Sequence, residues 1–168
     1  MKTKLMMIFC VAMITMSGVC LASVRDDQIA LGGIPLLCTT KDLHRIYGEP
    51  TEFDRQNREK ETWSYGDSFS VRFTLGKYIY GKNNSLSQAL VSVSILSEDA
   101  NGIATPDGVT VGDSVEKMEA IYGEADKEFM TRNGDAYVYE YHSETSMRRL
   151  YFITNGGVIE KINCYYYI

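Results

Sequence analysis

The two histidines of the chain, His44 and His142, are the side chains best suited to acid–base or metal chemistry. Neither lies in a Ser/His/Asp arrangement or in a His-Glu-x-x-His motif. No glycine-rich phosphate loop follows a predicted strand. We interpret both histidines as surface or edge residues, and we predict that the protein is not an enzyme and uses no cofactor or metal.

Cysteine could supply a disulfide or a metal site. The chain has four cysteines, of which Cys10 and Cys20 lie in an N-terminal segment that we expect to be removed. Cys38 and Cys164 remain, widely separated and without metal-ligand spacing. In an exported chain these two can form one disulfide, or they can stay as buried thiols that behave like small apolar side chains. Both alternatives stay open, because the sequence gives no distance between the two residues.

Tyrosine is the residue type in surplus, with twelve in the chain. Trp63 and Tyr65 alternate along one predicted strand, and Tyr137, Tyr139 and Tyr141 alternate along another, so each set shares one face of its strand. Tyrosine combines an apolar ring with a polar tip and is enriched at protein-binding surfaces. We therefore predict that these five residues bind a partner. The alternative is that their faces pack beneath helices.

The first 22 residues are typical of a secretory signal peptide, with two lysines before an apolar run that ends at Met16 and is followed by small residues. We expect cleavage after Ala22, which leaves 146 residues and changes the formal net charge from −5 to −7. The apolar run is too short to span a membrane. Lipidation of Cys20 is disfavoured because Val19, which is not small, precedes it. We therefore expect a periplasmic or secreted protein that is not a lipoprotein.

A sequence motif that includes the start of a predicted helix occurs twice, 75 residues apart. GIPLLCTTKDLHRIYGEPT begins at Gly33 and GVTVGDSVEKMEAIYGEAD begins at Gly108, and both contain IYGE. In each copy a capping residue precedes a short amphipathic helix, and a glycine ends that helix. The cap is Thr39 in the first copy and either Asp113 or Ser114 in the second. Similarity at a fixed long interval is typical of repeated units.

Alternating apolar residues follow each helix and predict antiparallel strands. The second half also contains Asn155-Gly156-Gly157, a strong hairpin signal. The pattern predicts an α+β fold in which two tandem helix-plus-antiparallel-sheet repeats form one extended sheet with the helices on one face. The expected segments are a signal peptide (1–22), a first repeat (23–97), a linker (98–107) and a second repeat (108–168).

The second copy of the motif resembles the sequence that begins the β-lactamase-inhibitory-protein-like fold. It also resembles the start of the related small outer-membrane assembly lipoproteins of the SmpA/OmlA type. In these proteins such a motif starts a helix that precedes antiparallel strands. In the inhibitor proteins the unit occurs twice and its concave sheet binds the partner enzyme. The resemblance implies binding through the sheet face opposite the helices. It also makes Asp67, in the first hairpin turn, a secondary candidate. The first copy departs from the pattern, with Leu37 in place of Gly112 and Cys38 in place of Asp113.

The sequence therefore predicts an exported, non-enzymatic module that binds another protein in the cell envelope or outside the cell. Two alternatives stay open, an envelope-assembly or scaffold subunit and an inhibitor of a secreted or periplasmic enzyme. The acidic chain has no basic stripe, which argues against nucleic acid as a partner. We expect no integral membrane span in the mature chain.

Overall fold

The structure, a computed structural model, describes residues 24–55, 60–66, 69–75, 88–95 and 103–167. The expected signal peptide, Asp67 and the first half of the expected linker lie outside these ranges. Within them, no helix combines the length and the apolar character that a bilayer crossing requires.

The described residues form ten strands, two α-helices and a 3₁₀ turn at Asp26–Gln28. The helices are α1 (Thr40–Tyr47) and α2 (Val115–Tyr122). The strands are β1 (Ala30–Leu31), β2 (Ile34–Pro35), β3 (Glu52–Arg55), β4 (Lys60–Tyr65), β5 (Phe69–Leu75), β6 (Gln88–Ile95), β7 (Lys127–Met130), β8 (Tyr137–His142), β9 (Arg148–Asn155) and β10 (Val158–Tyr166).

The strands after α1 are antiparallel and hydrogen-bonded in the order β3-β4-β5-β6-β10-β9-β8-β7, while β1 and β2 form a separate two-stranded sheet. The two halves of the chain meet where β6 pairs with β10, with Ser94 opposite Asn163. The edge strands β3 and β7 are only four residues long and carry charged residues. Short charged edges oppose pairing with the edge of another sheet.

The predicted fold class is wrong. The protein is mostly β rather than α+β, and its strands belong to more than one antiparallel sheet instead of forming two helix-plus-sheet repeats. Each α-helix holds only eight residues. Each helix ends after about two turns because the glycine that follows it, Gly48 or Gly123, adopts a left-handed backbone conformation with φ of 75°. The residues before α1 add strands of their own, which the sequence pattern does not predict.

The predicted helix starts and the hairpin in the second half are confirmed. Thr39 accepts a hydrogen bond from the amide of Asp42 in a capping box, and Ser114 accepts one from the amide of Lys117. These side chains satisfy amides that have no partner within the helix. The turn between β9 and β10 includes Gly157 at φ of 83°, a conformation that the missing Cβ permits.

The two sides of the eight-stranded sheet differ in what covers them. On one side, which we call the helix-covered face, Leu43 of α1 and Met118 of α2 are fully buried in one core with Leu150 and Phe152 of β9. Ile34, from the segment before α1, belongs to the same core. Residues that alternate with the core positions of the strands form the other side, which neither of the two described α-helices covers. We call this side the open face.

Candidate functional site

The predicted pair Trp63 and Tyr65 lies on the helix-covered face, beneath α1. Trp63 is 6 % exposed, and its ring centroid lies 4.6 Å from that of His44 in an edge-to-face contact. Tyr65 packs against Tyr47 with 5.4 Å between ring centroids, and its hydroxyl donates to the Gly48 carbonyl at 3.3 Å. Burial raises the pKa of Tyr65 to about 12. These contacts hold α1 on the sheet, so the pair belongs to the packing of α1.

The predicted row Tyr137, Tyr139 and Tyr141 also lies on the helix-covered face, whereas the resemblance implies binding through the opposite one. Tyr141 is fully buried against Tyr122 of α2, with 5.5 Å between ring centroids, and its hydroxyl donates to the Gly123 carbonyl at 3.0 Å. Burial raises the pKa of Tyr141. Tyr137 and Tyr139 are half-buried, with ring centroids 5.3 Å apart. Alternation predicts that the three share a face, but the position of α2 decides which face.

Cys38 and Cys164 are free thiols in the structure, so the disulfide that the sequence allows is not formed. Cys164 is fully buried and Cys38 packs at the edge of the core. Burial raises the pKa of both thiols, that of Cys38 to about 11. Neither thiol is therefore ionised at neutral pH, which disfavours nucleophilic chemistry. In the part of the chain that the structure describes, no group of His, Cys, Asp or Glu residues could hold a metal ion.

The open face carries a group of polar and aromatic side chains on β8, β9 and the end of β10. We call this group the open-face cluster; its members are Glu140, His142, Arg149, Tyr151, Tyr165 and Tyr167. Tyr151 lies opposite Glu140 of β8. Arg149 lies opposite both His142 of β8 and Tyr165 of β10. Because directly opposed residues share a sheet face, the register brings the cluster together.

Glu140 is the charged centre of the open-face cluster. It is only 8 % exposed, and its Oε1 lies 2.6 Å from His142 Nε2 and 3.7 Å from Arg149 Nε. Removing a carboxylate from water is costly unless it gains such partners. The cluster therefore holds the Glu140 carboxyl group between a guanidinium and an imidazole.

Tyr151 connects this charged centre to two tyrosines near the end of the chain. Its hydroxyl lies 2.8 Å from that of Tyr167, and its ring centroid lies 5.5 Å from that of Tyr165. The Arg149 guanidinium lies 5.9 Å from the ring centroid of Tyr167, within the range of a cation–π contact. Burial raises the pKa of Tyr151, and the hydrogen bond to Tyr167 and the charge of Glu140 raise it further. Tyr151 therefore stays neutral at physiological pH.

The composition of the open-face cluster suits binding better than catalysis. Tyrosine and arginine dominate the residues that anchor protein–protein interfaces. Here the hydrogen bond, the ring contacts and the ion pair fix their side chains in advance, which lowers the entropy lost on binding. Tyr167 is 50 % exposed and therefore accessible to a partner.

The predicted binding residues include no member of this cluster, although part of the signal is present in the sequence. Arg149 and Tyr151 alternate along one strand, and Tyr165 and Tyr167 alternate along the next. The same alternation is the basis for predicting that Tyr137, Tyr139 and Tyr141 bind a partner. Only the register between β9 and β10 shows that the two pairs share a face.

The fold and the cluster together define a mostly β protein whose two described α-helices cover one face of the eight-stranded sheet and not the other. Solved structures similar to it include a DUF4309 family protein (YjgB) from Bacillus subtilis subsp. subtilis str. 168, with 14% identity and a TM-score of 0.46 over 81% of this chain and 84% of that chain. Another is an extracellular protein containing a SCP domain from Bacillus anthracis str. Ames, with 13% identity and a TM-score of 0.45 over 78% of this chain and 44% of that chain. No family model and no curated protein matches the chain.

Proposed function

We propose that this protein is an exported, non-enzymatic module that binds another protein through its open face. The observation that carries the proposal is the open-face cluster, in which tyrosines and an arginine are fixed around a nearly buried carboxylate. Such a cluster supplies the aromatic and charged anchors of an interface. Export is supported by the lysine-led apolar segment that ends at Met16.

The partner is to be isolated with the mature chain, residues 23–168, as bait against envelope and culture proteins of the source cells. Captured proteins are then purified, and their Kd for the mature chain is measured by calorimetry. The decisive comparison uses variants of two aromatic residues with nearly equal exposure on opposite faces. Tyr167 is 50 % exposed on the open face, and Phe53 is 48 % exposed on the helix-covered face.

We expect Tyr167→Ala to weaken binding by about 2 kcal/mol, or roughly 30-fold in Kd, because it removes an anchor that contacts both Tyr151 and Arg149. Phe53→Ala serves as the matched control and should leave Kd unchanged. A partner whose affinity falls with Phe53→Ala but not with Tyr167→Ala would contradict the proposal. So would the absence of any purified protein with a measurable Kd.

A further inference from the structure

A groove opens on the helix-covered face, between the start of α2 and the tips of the β7–β8 and β9–β10 hairpins. Its volume is about 440 Å³, and apolar and aromatic side chains, chiefly Val115, Met130, Tyr137 and Tyr139, line it. This volume lies within the usual range for ligand sites, about 300–1,000 Å³. The groove is separate from the open-face cluster because Tyr139 and the cluster residue Glu140 lie on opposite faces of β8.

The groove exists because α2 is too short to cover its half of the sheet. Eight residues give a helix about 12 Å long. Tyr122, at the end of α2, contacts Tyr141 and Phe152 of the sheet. Tyr137 and Tyr139, farther along the same face, therefore keep part of their rings uncovered beside the start of the helix.

The charge around the groove is negative. Glu116 and Asp135 line it, and no lysine or arginine is among its lining residues, all of which the structure describes. Glu128 accepts a hydrogen bond from the Tyr137 hydroxyl at 3.4 Å. Burial raises the pKa of Tyr139, and the charges of Glu128, Glu119 and Glu116 raise it further.

Two nearby positive features do not cancel this charge. Lys117 of α2 is bound to Asp113, with 2.7 Å between Nζ and Oδ2. At the start of α2, the Ser114 side chain accepts a hydrogen bond from the Lys117 amide. Hydrogen bonds from its own amide and from Ser114 lower the pKa of Glu116, so this carboxylate keeps its negative charge in the first turn. A ligand in the groove therefore meets the carboxylates and the tyrosine rings.

We propose that this groove binds a basic segment of a polypeptide partner, with an arginine side chain over the rings of Tyr137 and Tyr139 and its charge facing Glu116 and Asp135. Arginine fits both features, because its planar guanidinium stacks on aromatic rings and pairs with carboxylates. The length of the groove, from the helix start to two hairpin tips, suits a short stretch of chain better than a single ion.

The test is a heteronuclear NMR titration of the mature chain with the capped peptide acetyl-Gly-Arg-Gly-amide. The neutral control is the same peptide with glutamine in place of arginine. We expect saturable shifts confined to the amides around Glu116, Gly134 and Tyr139, an affinity that falls as salt is added, and at least tenfold weaker binding of the glutamine peptide.

Three variants then separate the groove from general attraction to an acidic chain. Glu116→Gln and Tyr139→Leu should each weaken binding of the arginine peptide by roughly threefold to tenfold. Glu124→Gln makes the same charge change just beyond the end of α2 and should have no effect. Glu116 and Glu124 are both exposed, so these two variants are expected to fold even if Tyr139→Leu does not.

The proposal is overturned if the arginine peptide gives no saturable shifts at low-millimolar concentration. It is also overturned if the glutamine peptide binds equally well, or if Glu124→Gln weakens binding as much as Glu116→Gln. None of these outcomes involves Tyr167 or the open face, so failure here is distinguishable from failure of the proposed function.

Discussion

Replacing two tyrosines on adjacent strands tests the assignment of the two sheet faces. Tyr141 of β8 is fully buried on the helix-covered face, and Tyr151 of β9 is half-buried on the open face. Each has a hydroxyl in a hydrogen bond, Tyr141 to the Gly123 carbonyl and Tyr151 to Tyr167. Tyr141→Ala and Tyr151→Ala remove the same atoms from opposite sides of one sheet. Their difference in unfolding free energy therefore measures how differently the two sides are buried.

Tyr141→Ala should be strongly destabilising. A tyrosine buries roughly 150–250 Å², which at about 25 cal/mol per Å² gives an upper limit of about 4–6 kcal/mol. Large-to-small substitutions of buried aromatic residues cost about 3–5 kcal/mol, and we expect a loss in that range. Tyr151→Ala should cost about 1–2 kcal/mol, because only part of its ring is buried and its hydrogen bond is exposed to water.

Urea unfolding of the mature chain measures both losses. The chain has a single tryptophan, Trp63, which is nearly buried and therefore reports unfolding by fluorescence. With a slope of about 2 kcal/mol per molar urea, Tyr141→Ala should lower the midpoint by about 2 M, and Tyr151→Ala by less than about 1 M. Tyr141→Phe is the control for the hydroxyl and should lose only about 1 kcal/mol.

The assignment of the two faces is refuted if the two alanine variants lose equal stability, since the faces would then be equally buried. It also fails if Tyr151→Ala is the more destabilising of the two, because the open face would then be the covered one. A change in slope in either variant would call for a second probe of unfolding, such as far-ultraviolet circular dichroism, before the comparison is made.

Two further predictions concern backbone strain and pH. Leu37 has a φ of 72°, a backbone conformation that costs a non-glycine residue about 1–2 kcal/mol. Leu37→Gly should therefore raise the midpoint of thermal unfolding by a few degrees. A lower midpoint would contradict this prediction. Burial alone would raise the pKa of Asp26, but hydrogen bonds from Ser143 and Ser146 and the charge of Arg148 lower it below its ordinary value of 3.8. The contribution of Asp26 to stability is therefore fully present above pH 3.8, its ordinary pKa. It is lost as the pH falls through the lower pKa that Asp26 has in the folded protein. The free energy of unfolding, measured against pH, should fall more steeply in acid for the wild type than for Asp26→Asn. Parallel profiles of the two proteins would refute this prediction.

Local elements are predictable here because short-range chemistry sets them. Thr39 and Ser114 cap their helices through side-chain oxygens that reach amides three residues on. Gly48 and Gly123 end the helices because only glycine adopts their backbone without strain. None of these features depends on how the rest of the chain packs, so the sequence alone specifies them.

The sheet faces are harder to predict because they depend on register. Ile159 and Ile162 are both fully buried although they lie three residues apart on β10. Strict alternation would place them on opposite faces. A register shift between Ile159 and Lys161 moves both into the core. The same shift sets which residues at the end of β10 join Arg149 and Tyr151 on the open face, and nothing in the sequence marks its position.

Positions 37 and 112 show why a motif search underestimates backbone similarity. Leu37 has φ of 72° and Gly112 has φ of 91°, and each lies three residues before the first residue of its helix. Gly33 and Gly108 are also left-handed, with φ of 73° and 82°, again 75 residues apart. Leucine adopts this conformation only where the surrounding structure imposes it, at a cost of about 1–2 kcal/mol. The feature that these positions share is therefore a path of the backbone rather than a residue type, which a comparison of residue types alone does not detect.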